Sequence, residues 1–214
     1  MTRTVKAPEV RRAEILAAAA GLFQTLGYGA TSVDGIVRAA GVAKGTFYYY
    51  FRTKDEVLAA LARQVVDQMA QVAMTVVANR QLGPIEKLRI VLSGQRQIRD
   101  QGADIVEALH APENRQLHDL SNVEMVKVIG PILAMIVQEG RALGLFDVAD
   151  PLSTVQFILS GSLFLFGEGV FGWTKDEHDA RTIAMVTLVE RALRAPPGSF
   201  DGVLDDALAD VLRP

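Results

Sequence analysis

The sequence contains no cysteine among its 214 residues, so disulfide bonds and thiolate chemistry are both excluded. A chain without cysteine fits a reducing cytoplasm, which is where we expect this protein to act. Long apolar runs are also missing: the most apolar stretch, residues 155–173, is interrupted by Gln156 and Glu168, whereas a membrane span needs about 20 consecutive apolar residues. The charged N-terminus lacks the apolar segment of a signal peptide. We therefore expect no membrane partner.

The chain has no large excess of charge of either sign, because its net charge is only −3. This value argues against a protein that coats nucleic acid uniformly. The charge is nevertheless uneven: residues 1–56 hold eight basic and five acidic side chains and carry +3, which leaves −6 for the remainder. A basic front on an acidic body indicates a nucleic-acid face attached to a second functional part.

Strand patterns are almost absent, and helical periodicity recurs along the chain. It predicts an all-α protein of about nine or ten helices. Three of them form an N-terminal helix-turn-helix domain over residues 9–55, with the helix-turn-helix itself at about 32–51, and a helical body follows over residues 56–214. The arm 1–8 precedes them, and whether it contacts a minor groove stays open. Predicted body helices cover residues 53–79, 84–99, 103–110, 114–143 (bent or broken near Gly130-Pro131), 152–167, 177–193 and 200–212.

Tyrosine is confined to the first 50 residues, as Tyr28 and the run Tyr48-Tyr49-Tyr50. Three consecutive side chains on a helix point about 100° apart, so they cannot all face a core. Phe47 and Phe51 are four residues apart and can pack inward together. The tyrosines are then left for an exposed surface, and the alternative is that they form an aromatic patch that packs a helical bundle.

The residues around this run predict two short helices joined by a glycine turn. Ser32 can cap the first helix and Gly41 makes the turn. On the second helix, Gly45 allows close approach to a duplex, and Thr46 offers a hydroxyl to a base edge and a methyl group to thymine. Tyrosine hydroxyls can reach phosphates, and the basic side chains of Lys44 and Lys54 can neutralise them.

An ordered set of motifs over residues 10–61 resembles the TetR family of one-component transcriptional repressors. The resemblance is carried by Ile15-Leu16-Ala17-Ala18-Ala19, Leu22-Phe23, Gly27-Tyr28-Gly29-Ala30-Thr31-Ser32-Val33, Ala40-Gly41-Val42, Lys44 to Phe51, and Lys54-Asp55-Glu56. A lone glycine turn would be weak evidence, whereas this ordered set is specific.

The resemblance implies which residues touch DNA. Base contacts would come from Lys44, Gly45, Thr46 and Tyr49. Phosphate contacts would come from Ser32, the main chain of Val33, Tyr48, Tyr50 and Lys54, and Tyr28 would be a packing residue. The chain departs from the family pattern at Ala43, which cannot cap a helix through its side chain, and at Gly35 inside a helix. Each departure costs on the order of 1 kcal/mol, and Asp34 would oppose phosphate locally.

For the body, the resemblance implies a homodimer held by the last two large helices, and hence an inverted-repeat operator. Residues 152–167 are apolar nearly all round, which predicts a helix buried on every side. Candidate dimerisation residues are Val155, Ile158, Gly161, Ser162, Leu165, Val186 and Val189. Candidate effector-binding residues, whose alternative is plain core packing, are Met69, Leu109, His110, Met135, Phe157, Phe164 and Trp173.

The sequence and the resemblance together predict a ligand-responsive homodimeric repressor, released from double-stranded DNA by a small lipophilic effector. The alternatives are a transcriptional activator of the same family and a helical small-molecule-binding protein without specific DNA recognition. No nucleophile elbow, phosphate-binding glycine loop or metalloprotease helix occurs in the sequence. We therefore expect no catalytic residues, no metal site and no cofactor.

Overall fold

The computed structural model describes residues 7–101, 105, 108, 109, 111, 114–166 and 171–200, with the side chains of residues 93–101 left aside. Within these residues the protein is entirely helical, which confirms the predicted all-α fold. The eight helices are α1 (Pro8–Leu26), α2 (Val33–Ala39), α3 (Lys44–Tyr50), α4 (Lys54–Ala78), α5 (Pro84–Gln101), α6 (Arg115–Ala142), α7 (Pro151–Leu165) and α8 (Lys175–Leu193).

The two further predicted helices fall largely outside the described residues. Of the segment 103–110, the structure describes Ile105, Ala108 and Leu109, all of them helical, and of the segment 200–212 it describes only Phe200. This accounts for the difference between eight helices and the nine or ten that were predicted.

The chain divides into two compact units. The first comprises residues 1–65 and 102–121, and the second comprises residues 66–101 and 122–214. The units part within α4, between Val65 and Val66, whereas the sequence predicts a domain boundary between residues 55 and 56. The segment 102–121 joins the N-terminal helices through Leu109, which packs into their core.

The core of the first unit is built mainly by the inward faces of α1, α2, α3 and the start of α4. Phe47 is fully buried and Phe51 nearly so, which confirms their predicted inward orientation. Leu26, the last residue of α1, is exposed, and Gly27 follows it as the C-cap. The other buried members are Ile15, Leu16, Ala19, Phe23, Tyr28, Ile36, Val57, Leu58, Leu61, Ala62, Ala108 and Leu109.

Thr53 caps α4, as the motif Thr53-Lys54-Asp55-Glu56 predicts. Its Oγ1 accepts a hydrogen bond from the backbone N–H of Glu56 at 3.1 Å. The Glu56 carboxylate, however, accepts from the N–H of Arg52 at 2.7 Å, one residue before the N-cap. A complete reciprocal capping box is found instead at α8, between Thr174 and Glu177.

The second unit packs around the C-terminal half of α6. This helix runs without a break through Pro131, so the predicted break near Gly130-Pro131 does not occur. Its buried residues include Ile129, Leu133, Ile136 and Val137. By length and composition alone α6 could also cross a membrane, but this is weak evidence, because the core helix of a soluble protein passes the same test.

Candidate nucleic-acid interface

The exposed surface of helix α3 is polar and aromatic, because the apolar side chain of Phe47 is buried on the opposite side of the helix. Phe47 points into the core, and its ring meets that of Tyr48 edge-on, with centroids 5.5 Å apart. Tyr49, two residues beyond Phe47, is 79 % exposed, which is the position expected of a side chain that reads a base. Lys44, Gly45 and Tyr48 are also exposed, and Thr46 is half-buried.

Tyr50 differs from the two tyrosines before it. It is half-buried and packs against the core of the first unit, with its ring edge-on to that of Tyr49 at 4.9 Å. The aromatic run is therefore divided, as the 100° step of a helix requires: two rings lie at the surface and one at the seam between core and surface.

The turn between α2 and α3 depends on Gly41, whose φ of +62° lies in the left-handed region that glycine adopts without strain. The N–H of Val42 then donates to the carbonyl of Val37 at 3.2 Å and closes the turn. Ala43 precedes α3 with no side-chain cap, as its sequence position predicts.

Helix α2 begins with the cap that the sequence predicts. The Oγ of Ser32 accepts from the backbone N–H of Gly35 at 3.1 Å. Ser32 is exposed and Val33 half-buried. A methyl group at Gly35 would meet Ser32 Oγ at 3.4 Å, an ordinary contact, so glycine is not required there for space.

Asp34 and Lys44 form an ion pair across the two helices, with Nζ 2.8 Å from Oδ1 and both side chains more than half exposed. The hydrogen bond and positive charge of Lys44 hold the pKa of the Asp34 carboxyl below its ordinary value, and Asp34 in turn raises the pKa of Lys44. Both groups are therefore charged at neutral pH. The sequence placed Asp34 near the DNA face but could not predict its pairing with a residue on the next helix.

Lys54 is already bonded within the chain. Its Nζ donates to the carbonyl oxygens of Tyr28 at 2.7 Å and Thr31 at 3.0 Å, and it lies 4.0 Å from the centroid of the Tyr28 ring. The Tyr28 hydroxyl donates to the carboxylate of Asp55. Sequence reasoning missed this arrangement, because its members are separated by more than 20 residues and share no periodic pattern.

The predicted effector-binding residues have different environments. Met69 and Leu109 are buried, Trp173 is half-buried, and Met135 and Phe164 are exposed. Phe157 is 85 % exposed. His110 lies outside the described residues. Around Trp173, Phe171 stacks on the indole at 5.0 Å and the guanidinium of Arg181 lies 3.6 Å from the ring centroid.

The predicted dimerisation residues divide between the interior and the surface of the second unit. Val155 and Val186 are buried. Gly161 and Leu165 are exposed, and Ile158, Ser162 and Val189 are half-buried. The composition of α7 predicted a helix buried on every side. Within a single chain, however, α7 is exposed on part of its surface. It keeps a large apolar surface, to which Leu152, Phe157, Phe164 and Leu165 contribute.

Two family models match the chain. The model for bacterial regulatory proteins of the tetR family matches residues 15–61, and a model for the tetracyclin repressor-like C-terminal domain matches residues 97–187. The HTH-type transcriptional repressor KstR2 of Mycolicibacterium smegmatis is 28 % identical over 148 residues, which cover 67 % of this chain and 71 % of that protein. Several other curated HTH-type regulators match over only about a third of their length.

Solved structures share the fold. A structure of RolR in complex with resorcinol has a TM-score of 0.62 at 17 % identity, covering 97 % of this chain and 95 % of that one. The structure of Thermus thermophilus FadR in complex with lauroyl-CoA has a TM-score of 0.61 at 19 % identity, covering 87 % and 98 %. At these identities the likeness concerns the arrangement of helices and not the residues of any site.

Proposed function

Because the chain belongs to the TetR family of helix-turn-helix transcriptional regulators, we propose that it is a homodimeric repressor of a specific operator. It binds an inverted repeat in double-stranded DNA and is released when a small lipophilic effector binds. The N-terminal domain, residues 9–55, reads the DNA, and the helical body, residues 56–214, binds the effector and forms the dimer. The protein acts in the cytoplasm and uses neither a metal nor a cofactor.

The observation that carries this proposal is the surface of α3. Phe47 is fully buried and anchors α3 to the core, while Lys44 and the adjacent Tyr48 and Tyr49 remain exposed. The exposed face of α3 is therefore available to bind a partner. Side chains of this kind suit a major groove, where hydroxyl and ammonium groups meet base acceptors and phosphates. Lys44, Gly45, Thr46 and Tyr49 contact bases, and Ser32, Val33, Tyr48 and Tyr50 lie toward phosphates.

A second copy of the chain is the proposed partner of α7 and α8. Soluble monomers seldom leave large contiguous apolar surfaces uncovered, and a twofold contact presents the same surface on both subunits. The apolar side chains that these helices expose include Phe157, Phe164, Leu165, Ile183 and Leu188. We assign Phe157 to this face instead of the effector site, because a side chain 85 % exposed in the single chain does not line its interior.

The effector is proposed from two lines of support. RolR and FadR, which share the fold, are described in complex with resorcinol and lauroyl-CoA, and the body of this chain contains no tyrosine but many apolar and aromatic side chains. By linkage, an effector that weakens DNA binding must bind the DNA-free conformation more tightly than the DNA-bound one.

The test begins by selecting duplexes from a randomised library with the purified chain, because the operator is unknown. The selected duplex should contain an inverted repeat and should bind more tightly than a random duplex at every salt concentration. Lys44→Ala and Tyr49→Ala should each weaken binding to the selected duplex about tenfold or more while the protein stays dimeric. Leu143→Ala, at an exposed apolar position just after the end of α6, is the control and should bind as the wild type does.

Three outcomes would contradict parts of the proposal. If no sequence is enriched, the chain is instead a small-molecule-binding helical protein without specific DNA recognition. If both Lys44→Ala and Tyr49→Ala retain wild-type affinity, the contact assignment is wrong. If transcription from a promoter carrying the selected duplex rises when the protein is added, the protein is an activator of the same family.

A further inference from the structure

The ammonium group of Lys54 is occupied by the loop that joins α1 to α2. An ammonium has three N–H donors, and Lys54 directs Nζ to two backbone carbonyls, those of Tyr28 and Thr31, at 2.7 and 3.0 Å. The face of the Tyr28 ring lies 4.0 Å away and attracts the same positive charge. Lys54 is half-buried in this position, and its ammonium group is already bonded within the chain.

A further hydrogen bond joins the loop to the first turn of α4. The Tyr28 hydroxyl donates to the Asp55 carboxylate, and the Tyr28 ring is buried in a T-shaped contact with the Phe23 ring, at a centroid distance of 5.1 Å. Thr31 is buried as well, and its Oγ1 donates to the carbonyl of Gly27 at 2.8 Å. Two consecutive side chains of α4 therefore hold both the backbone and the side chain of the loop.

The residue after Thr31 is Ser32, which caps α2 and is followed by Val33. The position of these two residues consequently depends on the carbonyl groups that Lys54 binds. We propose that Lys54 is a positioning residue for DNA recognition: it holds the loop 27–31 so that Ser32 and Val33 face the phosphate backbone, and it does not itself neutralise a phosphate. The inference rests on the proposed function, and it replaces the phosphate contact that the family resemblance implies for Lys54.

Salt dependence distinguishes the two roles, because each neutralised phosphate contributes about −0.9 to the slope of log K against log salt. Lys54→Gln removes the charge but keeps two N–H donors, and Lys54→Met removes both. A positioning residue predicts that both variants keep the wild-type slope, that Lys54→Met binds the selected duplex about tenfold more weakly, and that Lys54→Gln recovers part of this loss. Lys175→Gln, which removes a lysine charge in the second unit, should match the wild type.

A phosphate-neutralising Lys54 predicts a different result. Both variants would lose the same affinity, and both slopes would become shallower by about 0.9, which is about 3.5-fold between 50 and 200 mM salt. This result would overturn the proposal. If Lys54→Met does not fold, the slope and affinity of Lys54→Gln decide the question alone.

Hydrogen exchange on the DNA-free protein gives an independent readout. The amides of residues 27–35 should exchange faster in Lys54→Met than in the wild type, with Lys54→Gln between them and the rest of the first unit unchanged. Wild-type exchange rates in both Lys54 variants would refute the positioning role. A wild-type protein that enriches no duplex would instead refute the proposed function, and the exchange result would be unaffected by that failure.

Discussion

Replacing Phe157 by glutamate should separate the two subunits of the proposed dimer. Phe157 lies on α7 and is 85 % exposed in the single chain. A phenylalanine has about 200 Å² of surface to bury, and 85 % of it is still exposed at Phe157, so about 170 Å² remains. At about 25 cal/mol per Å², burying this area at an interface would stabilise each subunit by about 4 kcal/mol. Glutamate removes this contribution and places a carboxylate near its twofold-related copy.

The measured effect will be smaller than this ceiling, because buried area converts only partly into affinity. Taking a quarter to a half of the roughly 8 kcal/mol that two subunits could contribute gives about 2 to 4 kcal/mol. The dimer dissociation constant should then rise by about 30-fold to about 1,000-fold. Affinity for the selected duplex should fall with it, because a monomer reaches one half-site only.

Sedimentation velocity over a dilution series measures this dissociation constant directly. Leu143→Glu is the matched control, because Leu143 is 63 % exposed near the end of α6 and outside both proposed interface helices. It should leave the dimer intact. A Phe157→Glu protein that dimerises as tightly as the wild type would remove α7 from the interface, and a wild type that is monomeric at all concentrations would refute the homodimer itself.

Two further substitutions test the ion pair of the first unit and the packing of the second. Asp34→Asn frees Lys44 to bind DNA, so the slope of log K against log salt should become steeper by up to about 0.9. Binding to random duplex should strengthen more than binding to the selected duplex. If fluorescence anisotropy gives an unchanged slope, Asp34 does not compete with DNA for Lys44. Gly140→Ala would place a methyl carbon 2.2 Å from a ring carbon of buried Phe146, so we expect a loss of about 1–3 kcal/mol of stability in chemical unfolding. Gly21→Ala, at a helical glycine with no atom within 4 Å, should instead stabilise by about 0.5–1 kcal/mol; equal effects of the two alanines would refute the clash.

The elements that the sequence predicted well are those governed by short spacing. Phe47 and Phe51 lie four residues apart, so a helix brings them to one face and the core fixes them there. The Ser32 and Thr53 caps likewise involve partners only three residues away. Local spacing therefore predicted where α2 and α4 begin and which face of α3 is free.

The interactions that could not be predicted join residues far apart in the chain. Lys54 meets Tyr28 and Thr31 across more than 20 residues, and buried Lys87 pairs with Glu139 across 52. Such partners depend on the tertiary arrangement and leave no periodic signal. The apolar composition of α7 predicts that the helix is buried. Composition does not say whether the same chain or a second copy packs against it.

The distribution of aromatic residues gives the protein two separate optical reporters without any label. All four tyrosines lie at or before residue 50, in the first unit, and the single tryptophan, Trp173, lies in the second. Excitation at the red edge of the absorption band therefore reports on the second unit alone, and tyrosine near-ultraviolet circular dichroism reports on the first unit. Titrating an effector and then a duplex into one sample would let each event be followed in its own spectral channel.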